Sequence, residues 1–289
     1  MQMQLRGRIV DLGRPRLVGI VNVTPDSFSD GGQLPTVAAA VDHALRLVDA
    51  GADWLDIGGE SSRPGAQAVS LDEEAERAIP VVQAVCARTS VPVCIDTRRS
   101  AIARLALQTG AVVVNDTSGA VAPDMAAVVG EAGAGWVLMH APHAIGAMGW
   151  SQAAAGFPQA VQAGVAQVVA DLQAMVAQAL ELGVERSQLA VDPGLGFGKT
   201  VAQNLCLLRC PPALHTIGLP VYAGPSRKSF LVAKLQSNRP PAPLQRDGAT
   251  AAAVAAAVLG GAAWVRVHDV AALRQVFEVA VAIRDAGGD

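Results

Sequence analysis

Aromatic side chains are scarce in this sequence, and their scarcity limits how the core can be built. Only 3% of the 289 residues are Phe, Trp or Tyr, whereas 51% are hydrophobic. The interior must therefore consist mainly of Val, Leu, Ile and Ala side chains. A core of this kind favours helices packed closely on a sheet of aliphatic strands.

Long uninterrupted hydrophobic runs are also missing. The longest apolar stretch, residues 250–265, is broken by Gly260 and Gly261 and is shorter than the roughly 20 residues of a membrane-spanning helix. It predicts a buried helix followed by a strand. Arg6 and Arg8 near the N-terminus have no apolar segment behind them, which argues against a signal peptide. We therefore expect a soluble, cytoplasmic protein without a membrane partner.

Cysteine and net charge are both low. The four cysteines, Cys86, Cys94, Cys206 and Cys210, are scattered and form no CxxC pair, which favours buried reduced thiols in the cytoplasm over a metal site. The formal net charge is −3, so the sequence gives no reason to expect nucleic acid as a partner. An anionic ligand would have to be bound by a few local cations.

The chain does contain eight short apolar runs that each end at a polar residue or a turn. They lie at 17–22, 54–57, 91–96, 111–115, 136–140, 189–192, 219–224 and 263–268. Helix-like segments lie between most of them, at 36–50, 71–88, 100–108, 123–131, 159–182 and 270–285. Eight alternations predict an α/β fold, a single (β/α)8 TIM barrel, with an open doubly wound sheet as the alternative. No linker divides the chain, so we expect residues 1–289 to form one domain.

Polar residues stand where these predicted strands end. Because the carboxyl ends of barrel strands share one face, we expect a polar ring there. The ring suits a flat heterocycle and an anion, because it offers both donors and acceptors. Its members are Asn22, Asp56, Asp96, Asn115, His140, Asp192, Lys228, Arg266 and His268.

Two segments of the chain are rich in glycine or in cations. Residues 194–200 superficially resemble a phosphate-binding Walker loop, but Pro193 stands where the first glycine belongs. The glycines more simply allow the backbone to approach a ligand ring, with Phe197 against it or in the core. Residues 224–229, which include Lys228, predict an anion or carbonyl site at the start of a helix.

Arg266 and His268 alternate along the last predicted strand and should therefore point the same way. An arginine beside a histidine suits phosphate or pyrophosphate, because the guanidinium group makes bidentate contacts. The alternative is a surface ion pair between Arg266 and Asp269.

Eight separated motifs resemble those of the dihydropteroate synthase family, the pterin-binding TIM barrels of folate biosynthesis. The resemblance covers nearly the whole chain and includes Asn22-Val23-Thr24-Pro25-Asp26-Ser27-Phe28, Ser62-Arg63-Pro64, Ile95-Asp96-Thr97, Asn115-Asp116, Met139-His140, Asp192-Pro193-Gly194-Leu195-Gly196-Phe197-Gly198-Lys199, Ser226-Arg227-Lys228-Ser229 and Arg266-Val267-His268.

The resemblance implies roles for individual residues. Asp96, Asp192 and Lys228 would be the catalytic residues, and Asn22 would bind Mg²⁺. The pterin diphosphate site would consist of Ser62, Asp96, Asn115, Met139, Asp192, Phe197, Gly224, Lys228, Arg266 and His268. The p-aminobenzoate site would consist of Phe28, Ser62, Arg63, Pro64 and Ser226.

The family also implies a reaction. Its members join 6-hydroxymethyl-7,8-dihydropterin diphosphate to p-aminobenzoate, release pyrophosphate and form 7,8-dihydropteroate, and the resemblance implies a homodimer that is a sulfonamide target. The chain departs from the usual pattern at Ser62, at Pro225 and after His140. Two alternatives stay open: a methyltetrahydrofolate methyltransferase of the same superfamily, and a pterin-binding paralogue without synthase activity.

Overall fold

Eight parallel strands organise the chain, and each coincides with one of the apolar runs. The computed structural model describes residues 1–24, 36–61, 68–141, 158–210, 212–233, 235 and 241–287. After a short hairpin, the barrel strands are β3 (Arg16–Asn22), β4 (Trp54–Gly58), β5 (Val93–Asp96), β6 (Val113–Asp116), β7 (Gly135–Met139), β8 (Leu189–Asp192), β9 (Tyr222–Ala223) and β10 (Trp264–Val267).

The strands pair in the order β8-β7-β6-β5-β4-β3-β10-β9, and every pair is parallel. The two ends of this row also meet, because the Val191 amide donates to the Pro220 carbonyl oxygen at 2.9 Å and Val191 bridges Val221. The sheet thus curls into a nearly closed barrel. The predicted TIM barrel is confirmed, and the doubly wound alternative is wrong.

Helices follow the strands and cover the outside of the barrel. They are α1 (Val37–Asp49), α2 (Leu71–Cys86), α3 (Ser100–Thr109), α4 (Pro123–Ala132), α5 (Pro158–Glu181), α6 (Val201–Leu208), α7 (Pro212–His215), α8 (Asp247–Leu259) and α9 (Val270–Ala286). Side chains of Thr36, Ser70, Thr200 and Asp269 accept a backbone hydrogen bond at four of the helix starts. These caps fix where the chain turns from loop to helix.

The N-terminal hairpin was not predicted from the sequence. Strands β1 (Gln2–Leu5) and β2 (Arg8–Asp11) pair antiparallel around Arg6 and Gly7, which have φ angles of +50° and +77°. Met3 and Leu5 are buried in a cluster with Val18, Val113 and other residues from the beginnings of the barrel strands. The hairpin therefore closes the amino-terminal end of the barrel. Its signal was the alternation of Met3 and Leu5 with polar residues, followed by an Arg-Gly turn.

The segment after β9 differs from the prediction. A helix was expected to start at residues 224–229, but the described chain forms only a three-residue 3₁₀ turn at Ser229–Leu231, and α8 begins at Asp247. The short helices α6 and α7 were not predicted either. The Ala-rich run from residue 250 was interpreted correctly, because it forms most of α8 and leads into β10.

One helix of the described chain, α5, is long and apolar enough by length and composition to cross a membrane. Its Val165, Leu172 and Val176 side chains are buried in the same hydrophobic core as the barrel strands. A single helix of this kind is weak evidence for a membrane, since core helices of barrels have the same composition. All four cysteines are free thiols; Cys94 and Cys210 are buried as predicted, whereas Cys86 and Cys206 are only partly buried.

Candidate active site

Charged side chains gather at the carboxyl ends of the strands, as the sequence predicts. Asp56, Asp96, Asn115 and Asp192 belong to β4, β5, β6 and β8, and each is less than 8% exposed. Side chains on neighbouring strands at this level face a common interior. Four residues that are far apart in the chain thus surround one space at the mouth of the barrel.

Arg266 on β10 links two of the carboxylates. Its Nη2 donates to Asp96 Oδ2 at 2.7 Å, and its Nε donates to Asp56 Oδ2. Asp269, the partner considered from the sequence, instead caps α9 by accepting from the Ala272 amide. Arg266 is therefore a half-buried cation between two buried acids, and the alternative of a surface pair with Asp269 is wrong.

Asp56 is the centre of a further hydrogen-bond network. In addition to Arg266, its Oδ2 accepts from Asn115 Nδ2 at 2.9 Å and from the Tyr222 hydroxyl at 3.2 Å. Because only the NH₂ group of an amide can donate to a carboxylate, Asn115 must direct its Oδ1 elsewhere. That oxygen is buried and has no partner among the described residues. It is an acceptor available to a ligand.

Burial changes the ionisation of Asp96. Desolvation raises the pKa of its carboxyl to about 7, opposed by Arg266 and reinforced by the charge of Asp56. The two acids also raise the pKa of Arg266, and their effect outweighs that of its own burial. The guanidinium group is thus permanently charged, whereas Asp96 can take up a proton near neutral pH.

Asp192 lies on the opposite side of the mouth. Burial raises the pKa of its carboxyl to about 6, although the Gly194 amide donates to Oδ1 at 2.7 Å and Lys228 lies nearby. The Lys228 ammonium group lies over the Phe197 ring, 4.1 Å from its centroid. An aromatic face covered by a cation, beside a buried acid, suits a polar heterocycle.

The glycine-rich turn after β8 is shaped by Lys199, which the sequence analysis left without a role. Its buried Nζ donates to the carbonyl oxygens of Gly194 at 2.9 Å, Phe197 at 3.1 Å and His140 at 3.2 Å. Gly194 has a φ of +66°, and a Cβ there would lie 1.9 Å from the His140 oxygen. Lys199 therefore binds its own backbone, which explains why this segment does not form a Walker loop.

His140 was predicted to belong to the polar ring, but its side chain turns towards α5. Its Nε2 lies 3.0 Å from Asp171 Oδ2, and Asp171 also accepts from Gln167. Burial lowers the pKa of His140, with a further contribution from the charge of Lys199. A neutral imidazole facing the outer helix connects the end of β7 to α5.

Ser226 and His268 contact each other near the end of β10. The His268 backbone amide donates to Ser226 Oγ at 3.1 Å, and the same oxygen lies 2.9 Å from His268 Nδ1. A hydroxyl that donates to Nδ1 would leave the proton of a neutral imidazole on Nε2. Ser226, which the resemblance assigns to p-aminobenzoate, thus also orients the histidine.

The remaining predicted residues divide into two groups. Asn22 ends β3 and is half-buried, Met139 and Phe197 form a small apolar cluster, and Gly224 follows β9 with its α-carbon close to Arg266. Phe28, Ser62, Arg63 and Pro64 lie outside the described residues, so their predicted roles stay predictions.

A second group of charges supports the loop end of β5. Glu74 on α2 is fully buried and accepts from Thr97 Oγ1 at 2.6 Å and from Arg99. Arg98 Nη2 donates to Glu60 at 2.8 Å. Burial raises the pKa of Glu74, and Thr97 and Arg99 oppose the shift. These contacts hold the segments that follow β4 and β5 beside each other.

Comparisons with known proteins agree with this geometry. A family model described as "Pterin binding enzyme" matches residues 18–268. A dihydropteroate synthase of Mycobacterium leprae is 43% identical over 286 residues, with 96% of each chain covered. The structure of Xanthomonas albilineans dihydropteroate synthase with 4-aminobenzoic acid superposes with a TM-score of 0.84 at 42% identity, covering 98% of this chain and 99% of the other. The structure of the same enzyme with 7,8-dihydropteroate gives a TM-score of 0.82 at 39% identity over 98% and 99%.

Proposed function

Because the chain belongs to the family of pterin-binding enzymes, and within it to the dihydropteroate synthases, we propose the activity that these relatives are named for. The substrates are 6-hydroxymethyl-7,8-dihydropterin diphosphate and p-aminobenzoate, and the products are 7,8-dihydropteroate and pyrophosphate. The enzyme is a transferase of folate biosynthesis. The observation that carries the proposal is the set of buried acceptors at the barrel mouth, Asp96, Asn115 and Asp192.

These acceptors suit the edge of a pterin ring. Asn115 Oδ1 is buried without a partner in the described structure, and the carboxylates of Asp96 and Asp192 are held at neighbouring positions of the mouth. A ring with several N–H groups would replace the water that these oxygens lose on burial. Lys228 supplies a donor for the ring carbonyl, and Phe197 with Met139 supplies an apolar wall.

The diphosphate requires cations closer to the rim. Arg266 and His268 are separated by one residue at the end of β10, and Ser226 orients the His268 ring. Arg266 is engaged by Asp56 and Asp96, and these two contacts fix the position of its charge. A preorganised cation stabilises the negative charge that grows on a departing pyrophosphate.

Mg²⁺ is implied by the family, and the described residues offer few donors for it. No group of three or more His, Cys, Asp or Glu side chains suited to a metal occurs among the described residues. Asn22 offers one amide oxygen, which fits a magnesium ion that is bound largely by water and the substrate's phosphates. Such an ion would supply charge stabilisation for the leaving pyrophosphate.

The residues of the site favour a dissociative substitution. The bond between the pterin methylene carbon and the diphosphate oxygen breaks first, and the electron pair leaves with pyrophosphate. The carboxylates of Asp96 and Asp192 then stabilise the cationic pterin. The neutral amine of p-aminobenzoate forms the new C–N bond and loses one proton, so no strong base and no covalent enzyme intermediate are needed.

The other parts of the assignment stay predictions. They are a p-aminobenzoate site with Phe28, Ser62, Arg63, Pro64 and Ser226, a homodimer, a cytoplasmic location and one domain over residues 1–289. The relatives compared above are named as synthases, which supports the synthase over the methyltransferase alternative. A paralogue that binds pterin without turnover is separated from an active synthase only by assay.

An assay of pyrophosphate release tests the proposal. The purified protein is incubated with both substrates and Mg²⁺, and pyrophosphate and dihydropteroate should appear in equal amounts. Omission of p-aminobenzoate and addition of a chelator are the controls, and both should suppress product. A folded protein that binds the pterin but releases no pyrophosphate would overturn the proposed activity. Rescue of a strain lacking its own synthase gives an independent answer.

A further inference from the structure

Tyr222, the single tyrosine of the chain, connects the apolar end of the barrel to the charged end. It lies on β9 and is 1% exposed. Its ring centroid is 6.0 Å from that of Trp264, within the cluster closed by the hairpin, whereas its hydroxyl reaches Asp56 Oδ2 at 3.2 Å. The Tyr222 side chain therefore contacts both the apolar cluster at the amino-terminal end of the barrel and the charged network at the carboxyl end.

The direction of this hydrogen bond follows from the surroundings of the phenol. Burial and the charge of Asp56 raise the pKa of Tyr222 well above its ordinary value. The hydroxyl thus keeps its proton at neutral pH. Asp56 is a carboxylate next to Arg266, so the tyrosine donates and the acid accepts.

Asp56 passes this contact on to two residues of the pterin site. The oxygen that accepts from Tyr222 also accepts from Asn115 Nδ2 and from Arg266 Nε. The position of this Asp56 oxygen determines the direction of the Asn115 amide and the location of the Arg266 guanidinium group. Three donors on one oxygen fix the carboxylate in a single orientation.

We propose that Tyr222 is a positioning residue for pterin binding: through Asp56, its hydroxyl orients the amide of Asn115 towards the ring site and fixes the guanidinium group of Arg266 beside the diphosphate site. The proposal rests on the pterin site described above. It makes the hydroxyl, and not only the ring, a requirement for tight binding. A phenylalanine at this position would keep the packing against Trp264 and lose only the donor.

The variant Tyr222→Phe tests the proposal. Calorimetry with 6-hydroxymethyl-7,8-dihydropterin should show a dissociation constant about fivefold to tenfold larger than that of the unchanged protein, because one hydrogen bond to a charged group is lost. The KM for p-aminobenzoate at saturating pterin diphosphate should stay within about twofold, since Ser226, the described residue of its predicted site, contacts His268 and takes no part in the network.

The control is Val137→Ala on β7. Val137 is buried in the same cluster as Tyr222 but takes no part in the network. Its variant should melt at a lower temperature with an unchanged pterin dissociation constant. If Tyr222→Phe behaves in the same way, Tyr222 is structural and the proposal is overturned. Equal weakening of both substrates would also overturn it, because that outcome indicates general loosening of the barrel.

A spectroscopic test needs no variant and covers the case in which Tyr222→Phe does not fold. Protein labelled with ¹³Cζ-tyrosine gives one tyrosine resonance, because the chain has one tyrosine. The resonance should shift when the pterin binds. A resonance that does not move on saturation would contradict the proposal. A protein that fails to bind the pterin at all would instead contradict the proposed function.

Discussion

The two ends of the barrel differ in the polarity of their buried side chains. The amino-terminal end is filled by Met3, Leu5, Trp54 and Trp264 and is covered by the hairpin. At the carboxyl end, further along the same strands, acids, an amide and cations are buried beside a small apolar cluster of Met139 and Phe197. Apolar burial stabilises the fold, whereas buried charges cost free energy unless they are paired.

This difference shows how one barrel separates stability from chemistry. Asp96 and Asp192 have raised pKa values because the fold buries them, and Arg266, Lys199 and Lys228 compensate only in part. The buried charges therefore lower the stability of the fold, and apolar burial at the other end compensates for this loss. Substitutions at the two ends should therefore have separable effects on activity and on stability.

The largest effect is expected at the charged end. Asp96→Asn and Lys228→Met should each lower kcat/KM by about a thousandfold, since each removes a preorganised contact to the reacting pterin. Both variants should remain folded at the assay temperature, because neither enlarges the core. Activity is measured by pyrophosphate release. A near-normal rate in either purified variant would refute the role assigned to that residue.

The opposite pattern is expected at the apolar end. Met3→Ala should reduce the free energy of unfolding by about 2–5 kcal/mol, because it leaves a cavity under the hairpin. The values of kcat and KM, measured at 15 °C where the variant is still folded, should stay within about twofold of the unchanged protein. A parallel loss of turnover in folded Met3→Ala would show that the two ends are coupled.

The pH dependence of stability gives the next test. The pKa of Asp192 is raised from 3.8 to about 6 in the folded protein. Between pH 3.8 and about pH 6, the folded state keeps a proton on Asp192 that the unfolded state releases. The stability that this bound proton contributes is therefore lost as the pH rises through about 6. Asp192→Asn should therefore be more stable than the unchanged protein by about 2–3 kcal/mol at pH 8, and much less so at pH 4.5.

Urea unfolding at the two pH values measures this difference. Asp11→Asn, at an exposed position of the hairpin, is the matched control and should change stability by no more than about 0.5 kcal/mol at either pH. An Asp192→Asn variant that is equally stabilised at pH 4.5 and pH 8 would indicate that its charge is not the cause.

The smallest effect is expected for a charged residue that does not fit the division between a stabilising apolar end and a functional charged end. Lys199 is a cation at the functional end, yet its three hydrogen bonds go to backbone carbonyls. Lys199→Met should both lower the unfolding free energy by about 1–3 kcal/mol and weaken pterin binding by about tenfold, because the turn that carries Phe197 loosens. Unchanged pterin affinity, measured by calorimetry, would limit Lys199 to a structural role.

The sequence by itself determined the architecture and the residue types of the site. Strand ends such as those at Asp96, Asn115 and Asp192 could be found because parallel barrel strands share one face, so position in the chain predicts position in space. The hairpin was not predicted because its strands are only four residues long. The helix expected after β9 was wrong, since the cations of residues 227 and 228 precede only a short 3₁₀ turn.

Only the tertiary structure decided which polar residues are partners. Asp56 and Tyr222 are separated by 166 residues, and Arg266 and Asp96 by 170, so no local pattern connects them. His140 could not be distinguished from its neighbours in the ring, although its side chain faces Asp171 on α5. Spacing along a strand fixes which face a side chain occupies. Closure of the barrel brings distant strands within hydrogen-bonding distance and thereby sets the partners and the protonation states.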